Sequence, residues 1–391
     1  MSDNRDQEGN ATGFAGAPEF LHRSVAETLR RRVTEGNWGG GSKLPALREI
    51  ADEFDVSTMT VRRAIRTLEG EGHVYRIAGV GVFVRPTPPT RAVAQKMLAF
   101  AASDLSSGFE MGIARGVEKA CQDHGWAVQI LDAQHDPSLE ARNMLRLPGS
   151  GCRGALILPT WGDPKCVETL FKIQASDLPV VLVDRIPLGL KADLVESDHE
   201  KGAYLATKYL LEHGHRHVLM LTPRPGVSSL AARIHGYERA LRDAGKEPLP
   251  EWKVWLDLEV QAAAFRESRK WYGGYQAILP VLKKLEPPLA VFAVDPYTAW
   301  GVYERCRELG LRIPDDVSIV GCDDSEIALA MRPPITIVSQ RTDEIGRAAV
   351  ELLERRLETG PPETGSRKTL YHTIIDVDLV ERQSVASADG G

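Results

Sequence analysis

No stretch of the 391-residue chain approaches the ~18–20 consecutive apolar residues that a membrane helix requires. The best apolar runs, Ala155–Leu158 and Pro179–Val183, are only long enough for strands. Cysteine is scarce: the five thiols, Cys121, Cys152, Cys166, Cys306 and Cys322, are odd in number and scattered. That spacing suits neither a disulfide framework nor a CxxC metal site and points to reduced thiols. The first residues, MSDNRDQEGNATGFAG, are polar and hold no apolar core for a secretory signal, so a soluble, cytoplasmic protein is expected. A formal net charge of −6 excludes a chain-wide basic coat for nucleic acid or membrane.

What is present is unevenly spread. Between Pro18 and Arg91 there are 12 Lys+Arg against 9 Asp+Glu, a local excess of +3 that leaves −9 for the remainder. Hydrophobic residues make up 43% of the chain, enough for sizeable cores, and the length fits two or three domains. The chain is expected to divide into a disordered tail (1–17), a small helical domain with a hairpin (18–84), a Pro-rich linker (85–96), a large α/β domain (97–382) and a second disordered tail (383–391). The linker rests on Arg85-Pro-Thr-Pro-Pro-Thr-Arg91, which suits neither helix nor central strand.

In the small domain, Leu47, Ile50, Ala51 and Phe54 form one apolar helix face. Asp55-Val-Ser57 makes a tight turn in which Ser57 can cap a second helix, whose apolar face is Val61, Ala64, Ile65 and Leu68. At ~100° per residue from Val61, that face centres near about −10°, whereas Arg62, Arg66, Met59 and Arg63 lie at roughly 100°, 140°, 160° and 200°. Such a face suits a DNA major groove, where guanidinium groups fork onto guanine or phosphate; a solvated basic face is the alternative for an isolated helix. The segments His73–Ile77 and Gly81–Arg85 then read as a hairpin around Ala78-Gly79-Val80. Gly79-Val-Gly81 precedes a strand rather than a helix, which argues against a phosphate loop.

From Met97 onward, strands at Met97–Ala102, Val128–Asp132, Ala155–Leu158, Val180–Asp184, Val218–Leu221, Leu289–Val294 and Val317–Val320 alternate with amphipathic helices. This order predicts doubly wound parallel sheets, and the length predicts two lobes. Ligands of such sheets bind beyond the carboxyl ends of strands. There the sequence puts Ser107, Phe109 and Glu110, then Asp184-Arg185, Arg233, Asp295 and Asp323. Each Asp can equally cap the helix that follows it. Trp161 and Trp300 can stack on a ligand or belong to the core.

These segments carry two resemblances. FLHRSVAETLRRRVTEGNW, LPALREIADEFDVSTMTVRRAIRTLEGEG and GVGVFV resemble the GntR-type winged-helix DNA-binding domain. The resemblance implies contacts with double-stranded operator DNA by Arg48 and Arg62, with Ser57, Thr58, Met59 and Thr60 near base edges. Arg63, Arg66 and Gly79 of the wing complete the candidate interface. Thr58 and Val80 stand where relatives often carry Arg. LPVVLVDR, VESDHEKGAYLATKYLLEHGHRHVLML, ARIHGYERAL, IPDDVSIVGCDDSE and PPITIVSQRTDEIGRAAVELL resemble the LacI/GalR effector domain, a periplasmic-binding-protein-like fold. That resemblance implies Ser107, Phe109, Asp184, Arg185, Arg233, Asp323 and Gln340 as cleft residues, with Glu110 and Asp295 as departures that alter ligand choice. The combination resembles transcription regulators of the arabinose-repressor type.

Carboxylates and guanidinium groups can share the hydroxyls of a neutral sugar while Phe109 covers an apolar sugar face. A cleft sum of −2 repels an anionic phosphosugar. The expectation is therefore a homodimeric, DNA-binding regulator controlled by a small sugar, with a nucleoside, purine or other non-sugar ligand as the alternative. No cofactor, metal or membrane is expected. His213, His215 and His217 lack a completing Cys or carboxylate set for zinc. Asp323-Asp324 points apart as an acid/base pair. A pyridoxal-phosphate enzyme domain, which can follow a GntR-type reader, needs a lysine motif that the sequence does not offer.

Overall fold

The computed structural model describes residues 18–34, 37–39, 41–77, 80–85, 96–160, 164–359 and 369–388. Gly79, Trp161, the tail 1–17 and most of the linker lie outside the described residues. The chain divides into two compact units, Met1–Ala94 and Gln95–Gly391.

The first unit contains α1 (Pro18–Thr34), α2 (Leu47–Glu53) and α3 (Thr58–Gly70), followed by the antiparallel pair β1 (Val74–Ile77) and β2 (Gly81–Val84). The periodicity of α3 is realised directly. Val61, Ala64, Ile65 and Leu68 are fully buried and meet Leu29, Ile50 and Val74 in one core. Ser57 caps α3 by accepting from the Thr60 amide at 3.2 Å. The outcome is a winged helix-turn-helix.

The second unit has two lobes. In the first run β3 (Met97–Ala102), α4 (Gly108–Asp123), β4 (Ala127–Asp132), α5 (Pro137–Arg146), β5 (Gly154–Ile157), α6 (Pro164–Gln174), β6 (Val180–Val183) and β7 (Asp193–Ser197). The chain then crosses into the second lobe through α7 (His199–Glu212), β8 (Val218–Thr222), α8 (Ser228–Asp243), β9 (Lys253–Trp255), α9 (Leu258–Arg266) and α10 (Tyr272–Leu282). That lobe continues with β10 (Leu289–Ala293), α11 (Pro296–Leu309), β11 (Val317–Cys322), α12 (Glu326–Ala330) and β12 (Thr336–Gln340). Next, α13 (Thr342–Thr359) and β13 (His372–Ile375) return to the first lobe, and β14 (Val377–Val380) closes the second.

The sheets have matching strand orders, β13-β7-β6-β5-β3-β4 and β14-β12-β11-β10-β8-β9. All pairs are parallel except β12 with β14. Apolar layers cover both faces of each sheet, as parallel strands with near-continuous hydrophobic runs require.

One expectation needs correction. Residues 383–388, read as the start of a disordered tail, are packed against the second lobe. Ser384 is fully buried, accepts from the Ile319 and Thr336 amides and ties β11 to β12, a role that its polar flanks concealed. For Trp300 the core alternative holds: it packs on the apolar side of the second lobe, where its indole donates to Glu304, and does not line the cleft described below.

Candidate functional site

Two sites emerge, one in each unit. On the winged helix, Arg48, Arg62, Arg63 and Arg66 are exposed, and Met59 is 58% exposed. Among the described residues, none of these four guanidinium groups has an ion pair or hydrogen bond, whereas those of Arg30 and Arg32 on α1 are paired with Glu71 and Glu53. A guanidinium left without a protein partner on the face opposite a helix's core is available to an external anion. Thr58 is also exposed, and Ser57 and Thr60 share a hydroxyl hydrogen bond of 2.9 Å at the start of α3.

The second site is the cleft between the lobes, which holds about 600 Å³ of space free of protein atoms, part of it open to solvent. It is built almost wholly at the carboxyl ends of strands. Ser107, Phe109, Glu110, Asp184, Arg185, Arg233, Asp295 and Asp323 all line it, with Ser103, Asp104, His135, Ser229, Phe265, Pro296 and Tyr297. Gln340 stands behind this wall, and its amide donates to Asp323 Oδ1.

Asp184 follows β6 and Asp323 follows β11, the same position in the two strand orders. Both have left-handed backbones, with φ of 66° and 71°. That conformation is uncommon outside glycine and collects at functional sites. Neither caps a helix. Asp295 does: its carboxylate accepts from the Thr298 amide at 2.8 Å and hydroxyl at 2.7 Å, so the capping alternative holds there.

In the first lobe, Arg185 Nε lies 3.0 Å from Asp184 Oδ2 and its Nη2 lies 3.7 Å from Glu110 Oε1. His199, the first residue of α7, meets the Asp184 carbonyl at 3.0 Å and Oδ1 at 3.3 Å. In the second lobe, Arg233 donates to the Val294 carbonyl at 3.1 Å and stands 3.9 Å from Asp323 Oδ1. Burial opposes the charge on Asp184, but Arg185, His199 and Arg233 outweigh it and hold the carboxyl at about 2. For Glu110, burial prevails over Arg185 and two hydrogen bonds and lifts it to about 7. Burial likewise raises Asp323 to about 6 against Arg233. The cleft thus alternates fixed negative and positive groups, with two carboxyls close to neutrality.

Sequence reasoning missed Ser103, Asp104, His135, Phe265, Tyr297 and His199. Ser103-Asp104 directly follows the strand at Met97–Ala102, so the strand-end rule had the means to find them. Phe265 is brought in by α9, which has no strand-end signature. The three histidines near β8 do other work: His213 Nδ1 meets the Tyr209 carbonyl, His215 is buried beside Ala386, and His217 packs on Trp252. Asp324 turns away from Asp323 to pair with Arg382 at 2.7 Å.

A winged helix with open arginines and a hinged two-lobed cleft define a ligand-responsive DNA-binding regulator. Residues 21–84 match the bacterial regulatory proteins of the gntR family, and residues 207–385 match the periplasmic binding protein-like domain. The chain therefore carries a GntR-type DNA reader ahead of a periplasmic-binding-protein-like effector domain, the make-up of a transcription regulator. Among curated relatives, the arabinose metabolism transcriptional repressor of Geobacillus stearothermophilus is 27% identical, over 87% of this chain and 92% of that protein. The HTH-type transcriptional repressor PurR of Histophilus somni (strain 129Pt) is 25% identical over 88% and 99%. Among solved structures, the transcriptional regulator CelR–cellobiose complex aligns with a TM-score of 0.62 at 24% identity, over 87% of this chain and 100% of that one, a likeness of fold. These relatives are regulators, not enzymes.

Proposed function

We propose that the protein is a cytoplasmic homodimeric repressor whose operator affinity is set by a small neutral sugar in the cleft. On this reading α3 enters the major groove. Arg48, Arg62, Arg63 and Arg66 supply guanine and phosphate contacts, with Ser57, Thr58, Met59 and Thr60 near the base edges. Two readers related by a two-fold axis imply a roughly palindromic operator. Closure of the lobes on the sugar changes the placement of the readers and hence the affinity.

The observation that carries the sugar reading is the buried alternation of Glu110, Arg185 and Asp184 on one lobe with Arg233 and Asp323 on the other. Vicinal hydroxyls donate to carboxylates and accept from guanidinium groups at once, and need no net charge. Phe109 and the rings of Phe265 and Tyr297 give apolar faces for the carbon skeleton. A curated relative that represses arabinose metabolism adds support.

The test is thermal unfolding of the full chain against pentoses, hexoses, disaccharides and nucleosides. A ligand at ~100 times its dissociation constant stabilises by about 2.7 kcal/mol. One sugar raising the midpoint, with the rise lost in R233K, supports the proposal. A nucleoside hit, or a sugar shift that survives R233K, overturns it.

A further inference from the structure

The cleft is closed on two rims by unlike means. On one, main chain joins main chain: Pro187 bridges Val227, the Ser228 amide donates to the Ile186 carbonyl at 2.8 Å, and Leu188 donates to Gly226 at 3.2 Å. The Ser228 hydroxyl adds to them, accepting from the Ile186 amide and donating to Glu196, each at 3.1 Å. On the opposite rim, the lobes are joined through side chains. Lys270, in the turn between α9 and α10, reaches across to Asp104 Oδ2 at 2.6 Å and to the Ser106 hydroxyl. The Phe265 ring stacks on His135 with centroids 4.1 Å apart, and the Tyr297 hydroxyl donates to the Ser106 carbonyl at 3.4 Å.

Lys270 is at the centre of this second rim. Its ammonium lies 5.2 Å from the centroid of Phe265 and 5.1 Å from that of Tyr297, within cation–π range of both. Its side chain is only 16% exposed, and that of Asp104 9%. The partner is no isolated surface carboxylate. Asp104 Oδ1 accepts from the Ser106 amide at 3.0 Å and hydroxyl at 2.6 Å, and the Asp104 amide donates to Glu110 Oε2 at 2.8 Å. Burial pushes the Asp104 carboxyl up, but Lys270 and Ser106 outweigh it and hold it below the usual range. One ammonium therefore anchors the loop after β3, which presents Ser103 and Ser107 to the cleft and holds Glu110 of α4 through the Asp104 amide.

We propose that Lys270 is a positioning residue of the effector site: it latches the loop after β3 to the opposite lobe and slows escape of the bound sugar without touching it. This rests on the cleft being the effector site. Lys270 does not itself line the cleft, and its charge is balanced by Asp104, so it is placed to control closure rather than to select among sugars. Seated between two rings, the ion pair biases the lobes toward closure.

The test uses the full chain with K270M, which keeps most of the stem and removes the charge, and K270R, which keeps the charge. Hydrogen exchange without sugar reads the latch in the segments 103–110 and 265–272. Stopped-flow fluorescence with L-arabinose and D-ribose reads escape, Trp271 being adjacent to the latch. In K270M, exchange in both segments and pentose release are expected to rise about tenfold, with association little changed, whereas K270R is expected to stay close to wild type in both. Wild-type exchange in K270M overturns the latch. Loss of pentose binding with unchanged exchange also overturns it, because Lys270 would then be a direct contact. Binding of neither pentose to the wild-type chain counts against a pentose effector, while faster exchange in K270M still upholds the latch.

Discussion

The chemistry of both sites comes down to a few side chains that break local rules. Asp184 and Asp323 accept a left-handed backbone, a cost of about 1–2 kcal/mol per residue outside glycine, and in return aim carboxylates into the cleft instead of capping a helix. Glu110 is held at about 7 by burial. An unfolded glutamate titrates near ~4.3, so the folded chain retains this proton after the unfolded chain has lost it. The resulting stability is full below that range and is lost as pH rises through about 7. E110Q is expected to flatten this part of the stability curve, so its unfolding midpoint gains on wild type between pH 6 and 8. Parallel curves across that interval would exclude the assignment. On the reader, Arg62 is exposed on the face away from the core. R62A is expected to abolish specific operator binding in a mobility-shift assay and to leave the sugar-induced thermal shift unchanged. Equal loss of both would show that the two activities are not separable at this residue.

At the level of elements, legibility followed local apolar runs: β4 was read from Val128–Asp132 although it is half exposed, whereas β12 was not read although it is buried. The face of α3 was readable because four apolar residues at helical spacing all go into one core. Strands β3, β5, β6, β8, β10 and β11 were readable as apolar runs because they are buried on both faces. By contrast, β7 reads Asp-Leu-Val-Glu-Ser, and β9, β13 and β14 are short, with part of each strand at or near the solvent. Neighbouring strands, rather than local composition, make them strands. Helix pairing was also invisible. Helices α4 and α13 meet where Gly116 and Gly346 leave no room: a Cβ on Gly116 would lie 2.5 Å from the Asp343 carbonyl oxygen. G116A is therefore expected to force these helices apart and destabilise the second unit by about 1–3 kcal/mol, measured by urea unfolding. An unchanged urea midpoint would show that the contact yields without cost.

Across the whole effector unit, the chain crosses between lobes three times, after β7, β12 and β13. Each lobe is thus completed by segments distant in sequence, and ligand groups from both converge on one cleft. The final segment is part of this scheme, since Ser384 and Arg382 bond to β11, β12 and the loop at Asp324. A chain ending at Glu381 is expected to unfold several degrees lower than wild type in calorimetry, because it strips a buried hydroxyl and strands its partners. An unaltered transition would show the segment to be dispensable. Residue order alone determined the winged helix, the α/β character of the larger unit and most strand-end polar residues, because these depend on periodicity and on short-range turn chemistry. Tertiary structure alone decided which strand-end carboxylates face the cleft and which cap helices. It also brought Phe265 and Tyr297 to the cleft wall and Lys270 to its rim. Those outcomes depend on contacts between residues more than a hundred positions apart, which no local pattern records.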